Sequence, residues 1–343
     1  MDCVDQADTP VRRVAGGRPD WLQALALALE SGRPAVLVSV IQVKGSAPRD
    51  PGARMWVDAQ ATHDTIGGGH LEQQAIDFAR GMLAGGLPGR CVQRYPLGPR
   101  LGQCCGGVVW LAFERLSYAD LSWCRQAIAL LDAGAAVRRR VCAPLLAERV
   151  GAAAPEEATH LLEAPIDAAV ARIEWDEASG WLDDFIAPPA STVVVCGAGH
   201  VGRAIVNLLA GLPIRLIWLD PRDDAWPSEI PSHVQCIQGD EQDVVDCPDQ
   251  AYWLVLTHSH ALDLAIVEQV LRRKSFRYLG LIGSATKRAR FRSQLLQRFP
   301  ADEVDRVQCP IGAISTSSKR PAVIAVSVAA QLIPLLEAAG NPL

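Results

Sequence analysis

The chain has no surplus of positive charge, no apolar run long enough for a bilayer and no repeated Cys-x-x-Cys pair, and each absence removes a class of function. With 33 Lys and Arg against 38 Asp and Glu, the formal net charge is −5. A nucleic-acid binder needs a basic footprint on one face, so nucleic acid is not expected as a partner. The local clusters Arg138-Arg139-Arg140 and Arg272-Arg273-Lys274 are expected to be solvated faces. Met1-Asp2-Cys3-Val4-Asp5 is acidic where a secretory signal needs a basic segment and then an apolar one. The most apolar long stretch, Pro321 to Leu336, is interrupted by Ser327, Gln331 and Pro334, and it falls short of the roughly 18–20 residues of a membrane span. A cytoplasmic location without membrane association is expected. In that reducing compartment the ten cysteines are not expected to form structural disulfides, and without paired Cys-x-x-Cys motifs no zinc site is expected. Most, Cys196 among them, are expected to be small core residues.

What is present is chain enough for two cores: 343 residues, 49% of them hydrophobic and 21% charged, an ordinary globular balance. The most organised stretch runs from Thr192 to Asp220. The β-branched run Thr192-Val193-Val194-Val195-Cys196 breaks into Gly197-Ala198-Gly199-His200-Val201-Gly202 and continues with Ala204, Ile205, Leu208 and Leu209 at helical spacing. In such a turn the first glycine permits the reversal, the second lets backbone approach a phosphate, and the third lets helix pack on strand. The first helical amides then favour an anion. A second apolar strand, Ile214 to Leu219, ends in Asp220, where a dinucleotide fold places the acid that takes a ribose hydroxyl. The alternative is that the glycines only shape a tight βαβ corner. The fold class is therefore α/β, with a C-terminal Rossmann-like parallel-sheet domain (residues 191–343) and an N-terminal α+β domain (residues 1–187). They are joined by the proline-containing linker Ile186-Ala187-Pro188-Pro189-Ala190-Ser191.

In the N-terminal part a helix from Asp20 to Leu29, stopped by Gly32, precedes a buried strand from Ala35 to Val43. Lys44-Gly45-Ser46-Ala47-Pro48-Arg49 follows as a loop, either a plain connection or a grip for an anion. Gly67, Gly68 and Gly69 then precede a helix that opens with His70 and Glu72, a second concavity of amides that would suit an anion. Leu97 to Gly107 holds Gln103, Cys104 and Cys105 between glycines, just before the strand Val108 to Phe113. Either the two cysteines are buried at a strand start, or one thiolate, favoured by Arg100, faces a soft metal or a transferable sulfur. Vicinal cysteines close a strained ring, so a dithiol redox protein is a weaker reading. Segments Val137 to Cys142 and Ala171 to Trp175 read as an edge sheet.

Beyond Asp220, the strand Ala251 to Leu256 ends in Thr257-His258-Ser259-His260, at the strand end where an open parallel sheet binds ligands. With no third metal ligand at suitable spacing, His258 is expected to hydrogen-bond a ligand. The strand Tyr278 to Ile282 runs into Gly283-Ser284 and a helix carrying Lys287, Arg288, Arg290 and Arg292, either a phosphate setting or a solvated basic face. Pro321 suits the first residue of the closing helix.

Gly45-Ser46-Ala47-Pro48-Arg49, Gly67-Gly68-Gly69-His70-Leu71-Glu72, Gly102-Gln103-Cys104-Cys105-Gly106-Gly107, Gly197 to Gly202, Thr257-His258 with Asp263, and Gly280-Leu281-Ile282-Gly283-Ser284 occur in that order over roughly residues 35 to 338. In this the chain resembles the XdhC/CoxI accessory proteins of xanthine dehydrogenase and related molybdenum hydroxylases. Ile314 to Ser318 departs from the resemblance, being rich in serine and threonine where glycine is expected. The resemblance implies a chaperone that binds molybdenum cofactor (molybdopterin), shields it, lets a cysteine desulfurase exchange an oxo ligand for sulfur, and inserts it into apo-xanthine dehydrogenase. Such hand-over is compatible with a homodimer, although no residue pattern marks one. The cofactor-binding candidates are Gln103, Cys104, Cys105, Gly67, Gly68, Gly69, His70, Gly197, Gly199, His200, Gly202, Asp220, His258, Gly283 and Ser284, with Cys104 or Cys105 beside molybdenum. The phosphate is expected at the Gly197 turn or the Gly283-Ser284 turn, across a cleft from the cysteines. The competing class is an NAD(P)-dependent oxidoreductase, favoured by the Rossmann turn and Asp220 but lacking a Tyr-x-x-x-Lys or similar proton-transfer set near the strand ends.

Overall fold

The computed structural model describes residues 20–85, 87–98, 106–146, 160–163, 171–231, 233–314 and 318–338. Two compact units are distinguished, Arg18–Pro188 and Pro189–Leu343. In the first the elements are α1 (Asp20–Glu30), β1 (Ala35–Lys44), β2 (Arg54–Val57), β3 (Thr62–Asp64), α2 (Gly69–Leu83), β4 (Arg90–Pro96), β5 (Val108–Leu116), α3 (Leu121–Asp132), β6 (Val137–Cys142), β7 (His160–Glu163), β8 (Arg172–Trp175) and β9 (Trp181–Ile186). They build two antiparallel sheets, ordered β3-β2-β1-β5-β4 and β7-β6-β9-β8.

Successive side chains of a strand point to opposite faces, so β1, buried without a break from Ala35 to Ile41, requires cover on both. Val36, Val38 and Val40 pack with Leu71, Ala75 and Ala79 of α2. Ala35 and Leu37 pack with leucines of α1 and α3. Further along, Ile41 joins Trp110 and Ala112 of β5 against Val141 and Leu182 of the second sheet.

The arginine triplet is only in part the solvated face expected from sequence: Arg138 and Arg140 keep 33% and 42% of their side chains exposed, beside Asp183, but the residue between them does not. Arg139 is fully buried and donates to Glu114 through two nitrogens, at 2.9 and 2.7 Å, and to Asp184 at 3.1 Å. Asp184 also receives both terminal nitrogens of Arg54 at 3.0 Å. The two guanidinium groups lie over Trp123 and Trp21, at 4.8 and 4.7 Å. Two cations and two carboxylates thus neutralise one another where an unpaired charge would be prohibitive. The pair Asp183-Asp184 interrupts the apolar pattern of β9, which is why that strand does not stand out in the sequence.

The second unit contains β10 (Thr192–Cys196), α4 (His200–Leu209), β11 (Arg215–Asp220), β12 (Gln235–Gln238), β13 (Ala251–Val255), α5 (His260–Arg273), β14 (Phe276–Leu281), α6 (Ala285–Leu295), α7 (Ala301–Val304), β15 (Val307–Gln308) and α8 (Pro321–Glu337). Its six strands are all parallel, in the order β12-β11-β10-β13-β14-β15. Val193 and Val195 face α4 and α8, whereas Val194 and Cys196 face α5 and α6. The sheet is doubly wound, and the direction of winding reverses between β10 and β13. The carboxyl ends of those strands frame the crevice in which such sheets hold ligands. Among the described residues no helix is long and apolar enough to cross a membrane.

Candidate functional site

At the carboxyl end of β10 the chain reverses at Gly197, whose φ of +122° favours glycine and where a side chain would run into the backbone of Leu256. At Gly202 a Cβ would collide with the carbonyl oxygen of Gly197, so its absence lets α4 dock on the turn. Gly199 stands in open space as the N-cap of α4, with no side-chain cap, and His200 beside it is exposed. The first and third glycines therefore serve the fold, and the second leaves the helix start open. Asp220 closes β11 fully buried. Its Oδ2 accepts the Ala198 amide at 2.7 Å and Arg222 Nη2 at 3.0 Å, and its Oδ1 accepts the Arg222 amide and Nε at 3.1 and 2.9 Å. Burial pushes this carboxyl upward, but the Arg222 and Ala198 hydrogen bonds outweigh it and hold the pKa below its ordinary value. The oxygens that a dinucleotide fold offers to a ribose are occupied here by the chain's own guanidinium.

The loops after β13 and β14 frame an open cleft lined by Thr257, His258, His260, Gly283, Ser284 and Lys287. Below it lies Asp263, with no exposed surface, one turn into α5. Its Oδ1 accepts the amide and hydroxyl of Thr257 at 2.9 and 2.8 Å, and its Oδ2 accepts Lys287 Nζ at 2.6 Å. Lys287 also donates to the Ile282 carbonyl at 2.9 Å, and only 9% of its side chain is exposed. Gly283 makes room for it, because a Cβ there would press on the Lys287 stem at 2.8 Å and on Cys309 Sγ at 3.1 Å. Burial pushes the Cys309 thiol upward despite the nearby Lys287 and Arg288. Ser284 caps α6 by accepting the Lys287 amide at 3.3 Å. The cleft brings together His258, Gly283 and Ser284, three residues singled out in the sequence, and adds Lys287, whose pairing with Asp263 is hidden there among four cations on one helix. Among the described residues no group of three His, Cys, Asp or Glu is placed to hold a metal ion.

In the first unit three of the sequence motifs meet at one end of the five-stranded sheet. Lys44, ending β1, pairs with Val108 at the start of β5. A Cβ at Gly107 would collide with the carbonyl oxygens of Lys44 and Ser46, and one at Gly67 would strike Pro48 and approach Arg49 Cγ to 3.2 Å. Loop 44–49 is therefore approached on one side by the backbone of Gly107 and on another by that of Gly67, each too closely for a larger residue. Gly106 follows Cys105 in sequence; Gln103, Cys104 and Cys105 lie outside the described residues. The glycine concavity ahead of α2, expected to suit an external anion, holds the chain's own Glu72 carboxylate. Oε2 of that residue accepts the Thr65 hydroxyl at 2.5 Å and the amides of Ile66 and Gly68 at 3.1 Å. His70 is exposed, with Nε2 3.2 Å from Gln74 Nε2. Two further groups escaped sequence reading. Gln42 Oε1 and Trp110 Nε1, register partners on β1 and β5, are buried without a hydrogen-bond partner among the described residues, and Lys44 and Arg94 lie 5.2 and 5.6 Å from the Trp110 ring. The one signal for them is a glutamine inside an otherwise apolar strand.

A doubly wound sheet with a glycine turn at its switch point makes the second unit a Rossmann domain, carried with an α+β unit of two antiparallel sheets. The chain belongs to the XdhC/CoxI family: residues 193–332 match the XdhC Rossmann domain, and residues 28–96 match the XdhC and CoxI family. Membership supports an accessory role. A crystal structure of a protein described as a xanthine dehydrogenase, from Bacillus halodurans, is similar in fold, with a TM-score of 0.68 at 21% identity. The similarity covers 94% of this chain and 98% of that one. No curated protein matches.

Proposed function

We propose that this protein is a molybdenum cofactor-binding accessory factor of xanthine dehydrogenase. It holds the molybdopterin-type cofactor away from solvent and oxidant, presents it to a cysteine desulfurase for sulfuration, and inserts it into the apo-enzyme. The observation that carries the reading is the convergence of the Lys44 to Arg49, Gly67 to Gly69 and Gly106-Gly107 motifs at one sheet end, in a chain whose family is XdhC/CoxI. Nothing in the folding of an antiparallel sheet requires three such loops to be pared to glycine at their contact.

The residues present suit the cofactor. Gln42 Oε1 and Trp110 Nε1 are a buried acceptor and donor without partners among the described residues, and an orphaned buried polar group costs about 1–3 kcal/mol until something satisfies it. A pterin offers hydrogen-bonding edges of both kinds. In this reading the first unit's candidates for the cofactor are Gln103, Cys104, Cys105 and His70. The second unit has candidates of its own in His258, Gly283 and Ser284 and in the open α4 start at Gly199-His200. When bound, the cofactor would supply the molybdenum centre on which sulfuration takes place. The chain's own part is to bind and orient it and to keep one thiolate, Cys104 or Cys105, close to the metal.

A nicotinamide-dependent oxidoreductase is disfavoured by Asp220, whose carboxylate oxygens already accept Ala198 and Arg222. The test is replacement of Cys104 and Cys105 by alanine, singly and together, with cofactor counted per chain after expression in cofactor-producing cells. The double variant is expected to carry at least about tenfold less cofactor, the loss of one strong metal–ligand contact or more. Occupancy and delivery equal to wild type would remove both thiols from the mechanism.

A further inference from the structure

Three glycine turns in this chain resemble anion cradles, and what already fills each decides among them. We propose that the cleft of the β13 and β14 loops is a subsite for a phosphomonoester. Lys287 is its charged donor, Ser284 and the first amides of α6 are its neutral donors, and Asp263 is the positioning residue. The proposal rests on the cofactor reading only for the identity of the molecule that brings the phosphate.

In the Gly67–Gly69 turn the amides of Ile66 and Gly68 already bind the Glu72 carboxylate, so an incoming phosphate would meet a like charge. In the Gly197 turn the Ala198 amide is spent on Asp220. The nearest guanidinium groups are anchored on the chain itself, Arg203 on the carbonyls of Ala198 and Ala225 and Arg222 on Asp220. The third turn differs in holding a nearly buried cation with a donor left over in a cleft. An ammonium has three donors. Lys287 gives one to Asp263 and one to Ile282; the Phe291 ring, 5.2 Å away, adds attraction but no hydrogen bond. The third donor has no acceptor among the described residues, although the side chain is nine-tenths buried and lines the cleft.

Asp263 holds that geometry. Its other oxygen is saturated by Thr257, so the carboxylate can turn neither to solvent nor to ligand, and the ammonium is fixed against it. On α6 the Lys287 amide is capped by Ser284 and the Arg288 amide bonds the Ser284 carbonyl. The amides of Ala285 and Thr286 are then the orphan donors of the helix start. Exposed His258 and His260 flank the opening. A monoester dianion presents three terminal oxygens to these donors, whereas a diester presents two and a single charge.

The experiment uses the full chain with methyl phosphate as the monoester and dimethyl phosphate as the diester, binding being followed by phosphorus NMR line broadening. Methyl phosphate is expected to bind wild type more tightly than dimethyl phosphate. Lys287→Gln should weaken it about tenfold or more, the loss of one charge-assisted hydrogen bond. Lys287→Arg should retain part of the affinity, and Arg290→Gln, which removes an exposed charge from the same helix, should leave it unchanged. If Lys287→Gln does not fold, Ser284→Ala and Lys287→Arg give the same readout in milder form. Absence of methyl phosphate binding to wild type, equal affinity in Lys287→Gln, or a loss that follows His200→Ala instead would overturn the proposal. If binding depends on Lys287 but no molybdenum cofactor accompanies the protein, the subsite stands and the cofactor assignment falls.

Discussion

Buried charges do two different things in this chain. Around Arg139 the charges close on themselves. Arg139 and Arg54 are matched by Glu114 and Asp184, and all four side chains are buried. Around Lys287 one donor is left over, in a cleft. Neither arrangement was legible from composition, since three consecutive arginines, or four cations along a helix, look the same whether solvated or paired inside. The closed group makes a stability prediction. Arg139→Met would leave Glu114 and Asp184 buried with too little positive charge, at a cost of about 3–5 kcal/mol. Urea denaturation followed by circular dichroism reads that loss, and a change below about 1 kcal/mol would contradict it. The same group sets the acid response. Burial raises the Asp184 pKa, but Arg54 and Arg139 overcome this and hold it below the ordinary value. A depressed native pKa contributes stability that is complete above the unfolded value of about 3.9 and is lost as the pH falls through the native one. The wild-type unit is therefore expected to hold its structure down to about pH 4 and to weaken below it, a dependence that Arg139→Met flattens.

At the scale of elements, the strand-turn-helix around Gly197 was fully legible because several independent signals fell in register: a β-branched strand, spaced glycines, helical periodicity and a terminal acid. The long strand β1 and the proline-started α8 were legible for the same reason. Strands β4, β9 and β12 were not. β4 alternates arginine and glutamine with its apolar residues, β9 carries the acid pair that neutralises the arginines, and β12 has only four residues at the edge of its sheet. The roles of the three turn glycines separate in a way that substitution can test. Gly202→Ala forces a methyl group into the Gly197 carbonyl and is expected to cost at least about 1–3 kcal/mol, as overpacking does. Gly199→Ala meets open space at a φ of −71° and should cost less than about 1 kcal/mol, the loss of glycine at an N-cap. Equal destabilisation by the two in thermal melts would mean that the third glycine does not carry the close packing of α4.

At the scale of the whole molecule, each compact unit carries its own family match, residues 28–96 in Arg18–Pro188 and residues 193–332 in Pro189–Leu343. Each also has its own cluster of sequence motifs, conspicuous because glycines and histidines gather at strand ends. What each cluster already holds could not be read the same way: the Glu72 plug, the Asp220–Arg222 pair and the Gln42–Trp110 pairing all depend on side chains meeting across strands or turns. An anion cradle filled from within and one left with a spare cation have the same sequence signature, and only the neighbours distinguish them. The central claim is that the chain carries molybdenum cofactor, and its most direct measurement is the molybdenum and pterin content of wild-type protein purified from cofactor-producing cells. The account predicts molybdenum and pterin in equal amounts, approaching one of each per chain. Protein that carries neither, yet binds NAD or NADP tightly, would contradict it.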